Sequence, residues 1–375
     1  MMTNGLEGVI AAETRLSDVD GERGRLILAG HDVEALVEQA RFADAAALLL
    51  GGTAAEAAAA LARGRALGFD RLARLGDALD APDGMDALRA AVAHLPSPRA
   101  PTSASSALEI VGAFATLAAA WSRRQAGAAP LPPDGTLDHA ADYLRMVTGR
   151  APAAAARALD AYLVTVIDHG MNASTFTARV VASTGSDLVS ALTAAIGALK
   201  GPLHGGAPGP VLDMLDAIGE PARATAWLEG ELAAGRRLMG MGHRIYRVRD
   251  PRAAVLERAT MELERAGVVT GRLSLARAVE RAAEGALRQK HPDRPLRANV
   301  EFYTAVLLDT IGLDRTEFTP TFAVGRTAGW TAHVDEQRKT GKLIRPASVY
   351  VGPRPAAGAP SGEHREDGAS TEASA

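Results

Sequence analysis

From Asp32 onward, apolar residues return at every third or fourth position, the spacing of one face of a helix. Leu36, Val37, Ala40, Ala47 and Leu50 form the first such run, and Gly51-Gly52 stops it. The alanine-rich stretch 54–95 predicts shorter helices broken near Pro82-Asp83-Gly84. HLPSPRAPTSASS (94–106) and AGAAPLPPDGT (126–136) read as loops on either side of a helix over 107–125. Further helices are predicted at 137–148, 152–168, 174–184, 187–200, 209–218, 221–234, 251–266, 273–289, 298–311 and 317–338. The one convincing strand signal is TRLSDVDGERGRLIL (14–28), where Asp20-Gly21 is a turn dipeptide between short apolar runs and predicts a small β-hairpin. No internal repeat is evident, and the tail beyond Gly352 has the proline, glycine and charge content of disorder. The expected fold class is all-α with a minor N-terminal β-hairpin.

Composition narrows the function classes. The chain of 375 residues is 47% hydrophobic and 23% charged, which suits a globular protein with a large core and two domains. A net charge of −3 gives no sign of a nucleic-acid or membrane-surface protein. There is no cysteine, hence no disulfide, no thiolate metal site and no thiol nucleophile. The N-terminal residues include acids and no long apolar run, so no signal peptide is predicted; no uncharged apolar run reaches membrane-spanning length. The cytoplasm is the expected compartment. Lysine occurs only at 200, 290, 339 and 342, so arginine supplies nearly all the cations. That bias suits carboxylate and phosphate recognition, and GC-rich coding also produces it.

The chemistry gathers at a few polar residues in apolar or glycine-rich settings. Leu199 to Pro210, LKGPLHGGAPGP, ends one helical run, places His204 beside two glycines and starts another run. Glycines permit close approach of a ligand, and the field of a helix start keeps an imidazole neutral, able to donate a hydrogen bond to a carbonyl. The alternative is an inter-helix turn whose histidine only caps a helix. A second glycine-framed histidine, His243, is followed by Arg244, Arg247, Arg249 and Arg252, either an anion site or a solvated loop before a helix capped by Asp250-Pro251. His169 ends a helical run ahead of Asn172, where it is either a helix C-terminal histidine or a catalytic one. Glu301 is set among Val300, Phe302 and Tyr303, and Arg326 stands in another apolar run; each needs a partner or a task. No His-x-x-x-His or G-x-S-x-G pattern prompts a metal or serine mechanism.

Taken in order, the segments GLEGVIAAET, DHGMNASTFTARVVASTGSD, GALKGPLHGGA, GMGHRIYRVRDPRA, NVEFYTAVLLDTIGL, FAVGRTAGWTAHVDEQ and KLIRPASVYVGP resemble the citrate synthase family, in particular its shorter bacterial citrate and 2-methylcitrate synthases. The resemblance runs from about Gly5 to Pro353. It implies a two-domain helical homodimer: a large domain from 1–204 and 307–352, a small mobile domain at 205–306, and a disordered tail at 353–375. It implies Claisen condensation of acetyl-CoA with oxaloacetate, then thioester hydrolysis to citrate and CoA. Joining the two requires a carboxylate base, a donor to the enolate oxygen and a donor to the ketone. By resemblance these are Glu301, His204 and His243. Arg252, Arg326, His169 and Asn172 would hold oxaloacetate, with Arg345 of LIRP supplied by the neighbouring subunit, and Arg247 would contact CoA. No cofactor or metal is implied, and acyl-CoA and oxaloacetate are the expected ligands. Propionyl-CoA in place of acetyl-CoA, or a weakly active regulatory paralogue, are the competing readings. Three positions depart from the family: its usual aspartate base is Glu301, HGGAN becomes HGGAP at Pro208, and YRGYDI becomes Leu28-Ala29-Gly30-His31-Asp32-Val33.

Overall fold

The structure is a computed structural model that describes residues 5, 6, 8–97, 103–205 and 208–353, Pro208 by its backbone. The chain opens in a three-stranded antiparallel sheet, β1 (Ser17–Asp20), β2 (Arg25–Leu28) and β3 (His31–Asp32). The register Ser17↔Leu28 to Asp20↔Arg25 is the expected hairpin, and the Asp20 carboxylate accepts from the Arg23 amide to close its turn. β3 was not expected. Leu28 pairs with His31 across the two-residue turn Ala29-Gly30, whose φ angles of 46° and 88° are both left-handed. Such turns are recognised by Asn-Gly or Asp-Gly, and an alanine at the first position hides the signal.

Among the described residues fifteen α-helices follow. They are α1 (Val33–Gln39), α2 (Phe42–Leu50), α3 (Ala54–Arg71), α4 (Gly84–Val92), α5 (Ala104–Gln125), α6 (His139–Thr148), α7 (Ala153–Val166), α8 (Ala173–Ser183), α9 (Leu188–Leu199), α10 (Pro208–Ile218), α11 (Ala224–Ala233), α12 (Pro251–Arg265), α13 (Arg272–Lys290), α14 (Val300–Thr310) and α15 (Phe318–Thr340). The helices read from the apolar spacing are therefore present. One run is split, because 36–50 breaks at Ala40-Arg41 between α1 and α2. The break is fixed from afar: the buried Asp160 carboxylate accepts from the Phe42 amide at 3.1 Å and so serves the start of α2. Short side chains with their own acceptors begin many of the others, Asp83 for α4, Asn172 for α8, Asp187 for α9 and Asp250 for α12.

α5 and α15 are the central helices. α5 is long and apolar enough to cross a membrane, yet 78% of its most apolar window is buried inside the protein, as in a core helix. α15 is buried along nearly its whole length from Phe318 to Gln337. It can lie against the end of α7 because residue 329 is glycine: a Cβ there would stand 2.2 Å from the Ile167 carbonyl oxygen. That approach carries Arg326 to the Val166 carbonyl, 2.6 Å from its Nε.

By contact density the residues up to Ile344 form one unit and those from Arg345 a second. The described part of the second, 345–353, has neither helix nor strand. The tail expected to be disordered lies, from 354, outside the described residues.

Candidate active site

Seven of the nine residues singled out from sequence line one cavity of about 590 Å³. They come from two banks. On the first, the loop before α12 is zipped to the segment before α14. Met241 bridges Ala298, the Gly242 amide donates to the Arg297 carbonyl at 2.7 Å, and the Asn299 amide donates to the Gly240 carbonyl at 2.9 Å. The Asn299 side chain adds a bond from Nδ2 to the Gly242 carbonyl and accepts from the Glu301 amide, so His243 and the start of α14 move together. This bank carries His243, Arg252 and Glu301.

The second bank carries His169, Asn172, His204 and Arg326. Asn172 caps α8, and Ser174 on its first turn meets His204, Oγ to Nε2 at 2.8 Å. Trp330 of α15 donates from Nε1 to the same Oγ at 3.1 Å. The turn that presents His204 is drawn tight at Gly205, whose Cβ, if present, would lie 2.6 Å from the Leu199 carbonyl oxygen; Thr319 Oγ1 donates to the Gly205 carbonyl. Below His169, Asp168 is completely buried between Ser17 and His333. The banks touch where His169 Nε2 meets the Tyr246 hydroxyl at 3.2 Å and the His169 and His243 rings meet edge to face.

The electrostatics follow from this burial. His243 Nδ1 accepts from the Ile245 and Tyr246 amides, each at 3.1 Å, which leaves the ring proton on Nε2. Burial and the Arg252 cation lower His243 to about 4. The Ser174 amide donates to His204 Nε2 at 3.3 Å, which assigns that ring's proton to Nδ1. His204 is also lowered to about 4, by burial and then by Arg326. His169 is held well below its ordinary value by burial and by Arg252 and Arg326. All three imidazoles are thus neutral donors at pH 7. Glu301 moves the other way: burial lifts its carboxyl to about 7, against the pull of Arg252. Arg326 is buried, and burial lowers it to about 10, still a cation near neutrality.

Two expected residues are not in this cavity. Arg247 lines a second cavity of about 680 Å³ in which Glu257, Glu280 and Glu284 pair with Arg249, Arg277 and Arg297, because the chain turns between 243 and 250. Arg345 opens the second unit of the chain. Ser174, Trp330, Tyr246 and Asn299 were not assigned roles from sequence; the bonds of Ser174 to His204, Trp330 to Ser174, Tyr246 to His169 and Asn299 to Gly242 span long separations that no local pattern announces.

A pocket that sets three neutral histidines and two arginines around a carboxyl poised near neutrality is built to polarise carbonyls, hold carboxylates and move a proton from carbon. Comparison with known proteins agrees with that chemistry. The family model described as "Citrate synthase, C-terminal domain" matches residues 5–347. The chain belongs to the citrate synthase family. This citrate synthase-type enzyme is 36% identical to the citrate synthase of Deinococcus radiodurans, with 94% of this chain and 96% of the relative covered. It is 37% identical to the 2-methylcitrate synthase of Mycobacterium tuberculosis (strain H37Rv), over 93% of this chain and 90% of that one. Its fold matches the Thermoplasma acidophilum citrate synthase in ternary complex with carboxymethyl coenzyme A and oxaloacetate, with a TM-score of 0.83 and 27% identity over 96% of this chain and 98% of that chain.

Proposed function

We propose that this protein, as a cytoplasmic homodimer, condenses acetyl-CoA with oxaloacetate and hydrolyses the resulting thioester to citrate and CoA. The observation that carries this reading is the raised Glu301 carboxyl in one cavity with two neutral histidine donors on opposite banks. Ionised Glu301 takes a proton from the thioester methyl, and the electron pair moves onto the thioester oxygen, which accepts a hydrogen bond from His204 Nδ1. The enolate carbon then attacks the oxaloacetate ketone, whose oxygen accepts a hydrogen bond from His243 Nε2 and takes up the proton that Glu301 removed, so that His243 stays neutral and Glu301 is ionised again. Arg252 and Arg326 neutralise the oxaloacetate carboxylates, and His169 and Asn172 border them. Water finally adds to the thioester carbon, the C–S bond breaks, the CoA thiolate leaves with a proton from that water, and the new carboxylic acid loses the other as citrate forms. No cofactor or metal enters these steps.

The placement of the groups on two banks supports closure of residues 205–306 over the rest of the chain, a hinge motion that keeps water from the enolate. His204 then stands at the border of the moving part. Arg247 would meet CoA phosphates from the second cavity.

The acyl group is read by a thiol-release assay with oxaloacetate. The expected result is a kcat/KM about tenfold or more higher for acetyl-CoA than for propionyl-CoA, the discrimination one methylene supplies. A preference for propionyl-CoA makes the protein a 2-methylcitrate synthase, the direction in which its mycobacterial relative points. No thiol release with either substrate defeats the enzymatic reading.

The LIRP resemblance supports a shared site in which Arg345 reaches the neighbouring subunit's oxaloacetate. Arg345→Ala should then raise KM for oxaloacetate far more than for acyl-CoA. Mixed dimers with inactive His243→Ala subunits should regain activity, because one of the two hybrid sites keeps both native residues. Verified heterodimers that stay inactive would sink the shared site.

A further inference from the structure

Asp250 lies at the junction of the elements that carry Arg252 and Glu301, and its side chain is 0% exposed. As the residue before α12 it accepts from the Arg252 amide, an ordinary helix cap. A cap needs only that one bond. Asp250 makes three more. Oδ1 accepts from Arg252 Nε at 3.0 Å, and Oδ2 accepts from Arg252 Nη2 at 2.7 Å, a fork that takes one edge of the guanidinium. Oδ2 also accepts from the Val300 amide at 3.1 Å, 50 residues along the chain. Val300 is the first residue of α14, and Glu301 is the second. The Asp250 amide completes the joint by donating to the Ala298 carbonyl.

We propose that Asp250 is a positioning residue for the condensation: its carboxylate fixes which edge of Arg252 faces the substrate cavity and holds the first turn of α14, so that one side chain sets both an oxaloacetate-binding cation and the base. This rests on the roles given above to Arg252 and Glu301. The physical reason is geometric. A free arginine samples many rotamers, and a fork on Nε and Nη2 leaves the Nη1 hydrogens and the outer Nη2 hydrogen, one end of the guanidinium, to meet a substrate carboxylate. The amide at the start of α14, without Asp250, would be a buried donor with no acceptor.

Asp250 also acts on Glu301 through its charge. The ionisable groups that line the cavity with Glu301 are Arg252 at the start of α12, His243 and Arg244 on the loop before it, His204 on the turn before α10, Arg326 on α15, His169 after α7 and Asp18 on β1; Asp250 and Tyr162 of α7 act on it from outside the lining. Of these, Asp250 raises the carboxyl and Arg252 lowers it. Removing the Asp250 charge therefore lowers Glu301, leaving the pull of Arg252 unopposed.

The test uses the full chain with Asp250→Asn, which retains an acceptor for the α12 cap but loses the charge. Calorimetry with oxaloacetate alone should show binding weakened by about 10- to 100-fold. The acid limb of the kcat/KM profile should move to lower pH than in the wild type while the melting temperature stays near the wild-type value, which separates the lost charge from a loosened fold that admits water to Glu301. Unchanged oxaloacetate binding, or an acid limb left in place, overturns the proposal. Should Asp250→Asn fail to fold, Asp250→Glu takes its place: it keeps the charge but displaces the fork by a methylene. It should bind oxaloacetate more weakly with the acid limb unmoved, and wild-type binding in that variant overturns the proposal. If Glu301 is not the base, Glu301→Gln reveals it independently. The calorimetric arm needs no acyl-CoA and still decides the Asp250–Arg252 claim.

Discussion

Glu301→Gln lowers kcat by about 10²–10⁴-fold, the span general base catalysis contributes, and leaves oxaloacetate binding nearly unchanged. The side chain stands second in α14 with its amide tied to Asn299, so glutamine of the same length occupies the same place. What it lacks is a charge that can accept a proton from carbon. In the wild type the carboxyl lies at about 7, raised chiefly by burial. The base must be ionised, so kcat/KM, which reports the unliganded enzyme, rises with pH through that value, and the acid limb of its profile centres near pH 7. The same shift makes a stability statement with the opposite sense. The folded value lies above the unfolded one of 4.5, so ionising Glu301 destabilises the fold as pH rises from the unfolded value through about 7. Glu301→Gln removes that burden and should melt no lower than the wild type at pH 8, which separates lost chemistry from lost structure. Glu301→Asp restores the usual family residue, yet the surrounding frame holds the longer chain, and it should be active without being faster. Wild-type turnover by Glu301→Gln would mean another group takes the methyl proton.

How much of this was legible in the sequence depends on how local each cause is. The helices were, because 3.6-residue spacing and capping side chains such as Asp83, Asn172 and Asp250 act within a turn of their own positions. The break between α1 and α2 was not, since the carboxylate that serves the start of α2 is Asp160, 118 residues away. The third strand was hidden by Ala29, which sits in a left-handed conformation that sequence statistics assign to asparagine or glycine. At the site, the glycine frames around His204 and His243 and the polar intruders Glu301 and Arg326 pointed to residues that the fold brings to one cavity. The frames anticipated neutral histidines but not the neighbours that keep them so. His204 is neutral because it is buried beside Arg326, a neighbour 122 residues away in sequence that only folding supplies. Spacing alone did not separate the arginines after His243; only the resemblance gave Arg247 to CoA and Arg252 to oxaloacetate. The turn of the loop sends Arg247 to one cavity and Arg252 to another.

The two cavity arginines differ in what they have left to offer, and that difference sets the last expectation. Arg252 has already given Nε and Nη2 to Asp250. Arg326 gives only Nε, to the Val166 carbonyl, and among the described residues its terminal nitrogens have no protein acceptor. It lines the cavity with its guanidinium 4.8 Å from the centre of the Phe322 ring, so an intact fork is held toward the substrate. A carboxylate brought into that pocket without the fork is a buried charge with its partner removed, which costs about 3–5 kcal/mol. Arg326→Gln should therefore lower kcat/KM for oxaloacetate by about 10²–10³-fold, mostly through weaker binding. Arg326→Lys keeps the charge but not the fork and should fall between the two. A second readout needs no turnover. Arg326 lowers both His204 and His169, so its loss should raise the His204 value from about 4 toward the ordinary imidazole range. An NMR titration would register this as protonation of His204 at a higher pH than in the wild type. The neutral donor that the enolate needs would then be lost earlier on acidification, and the acid limb of the variant should become steeper. If His204 titrates unchanged in Arg326→Gln, or oxaloacetate binds as before, the arginine is a core cation and not the clamp.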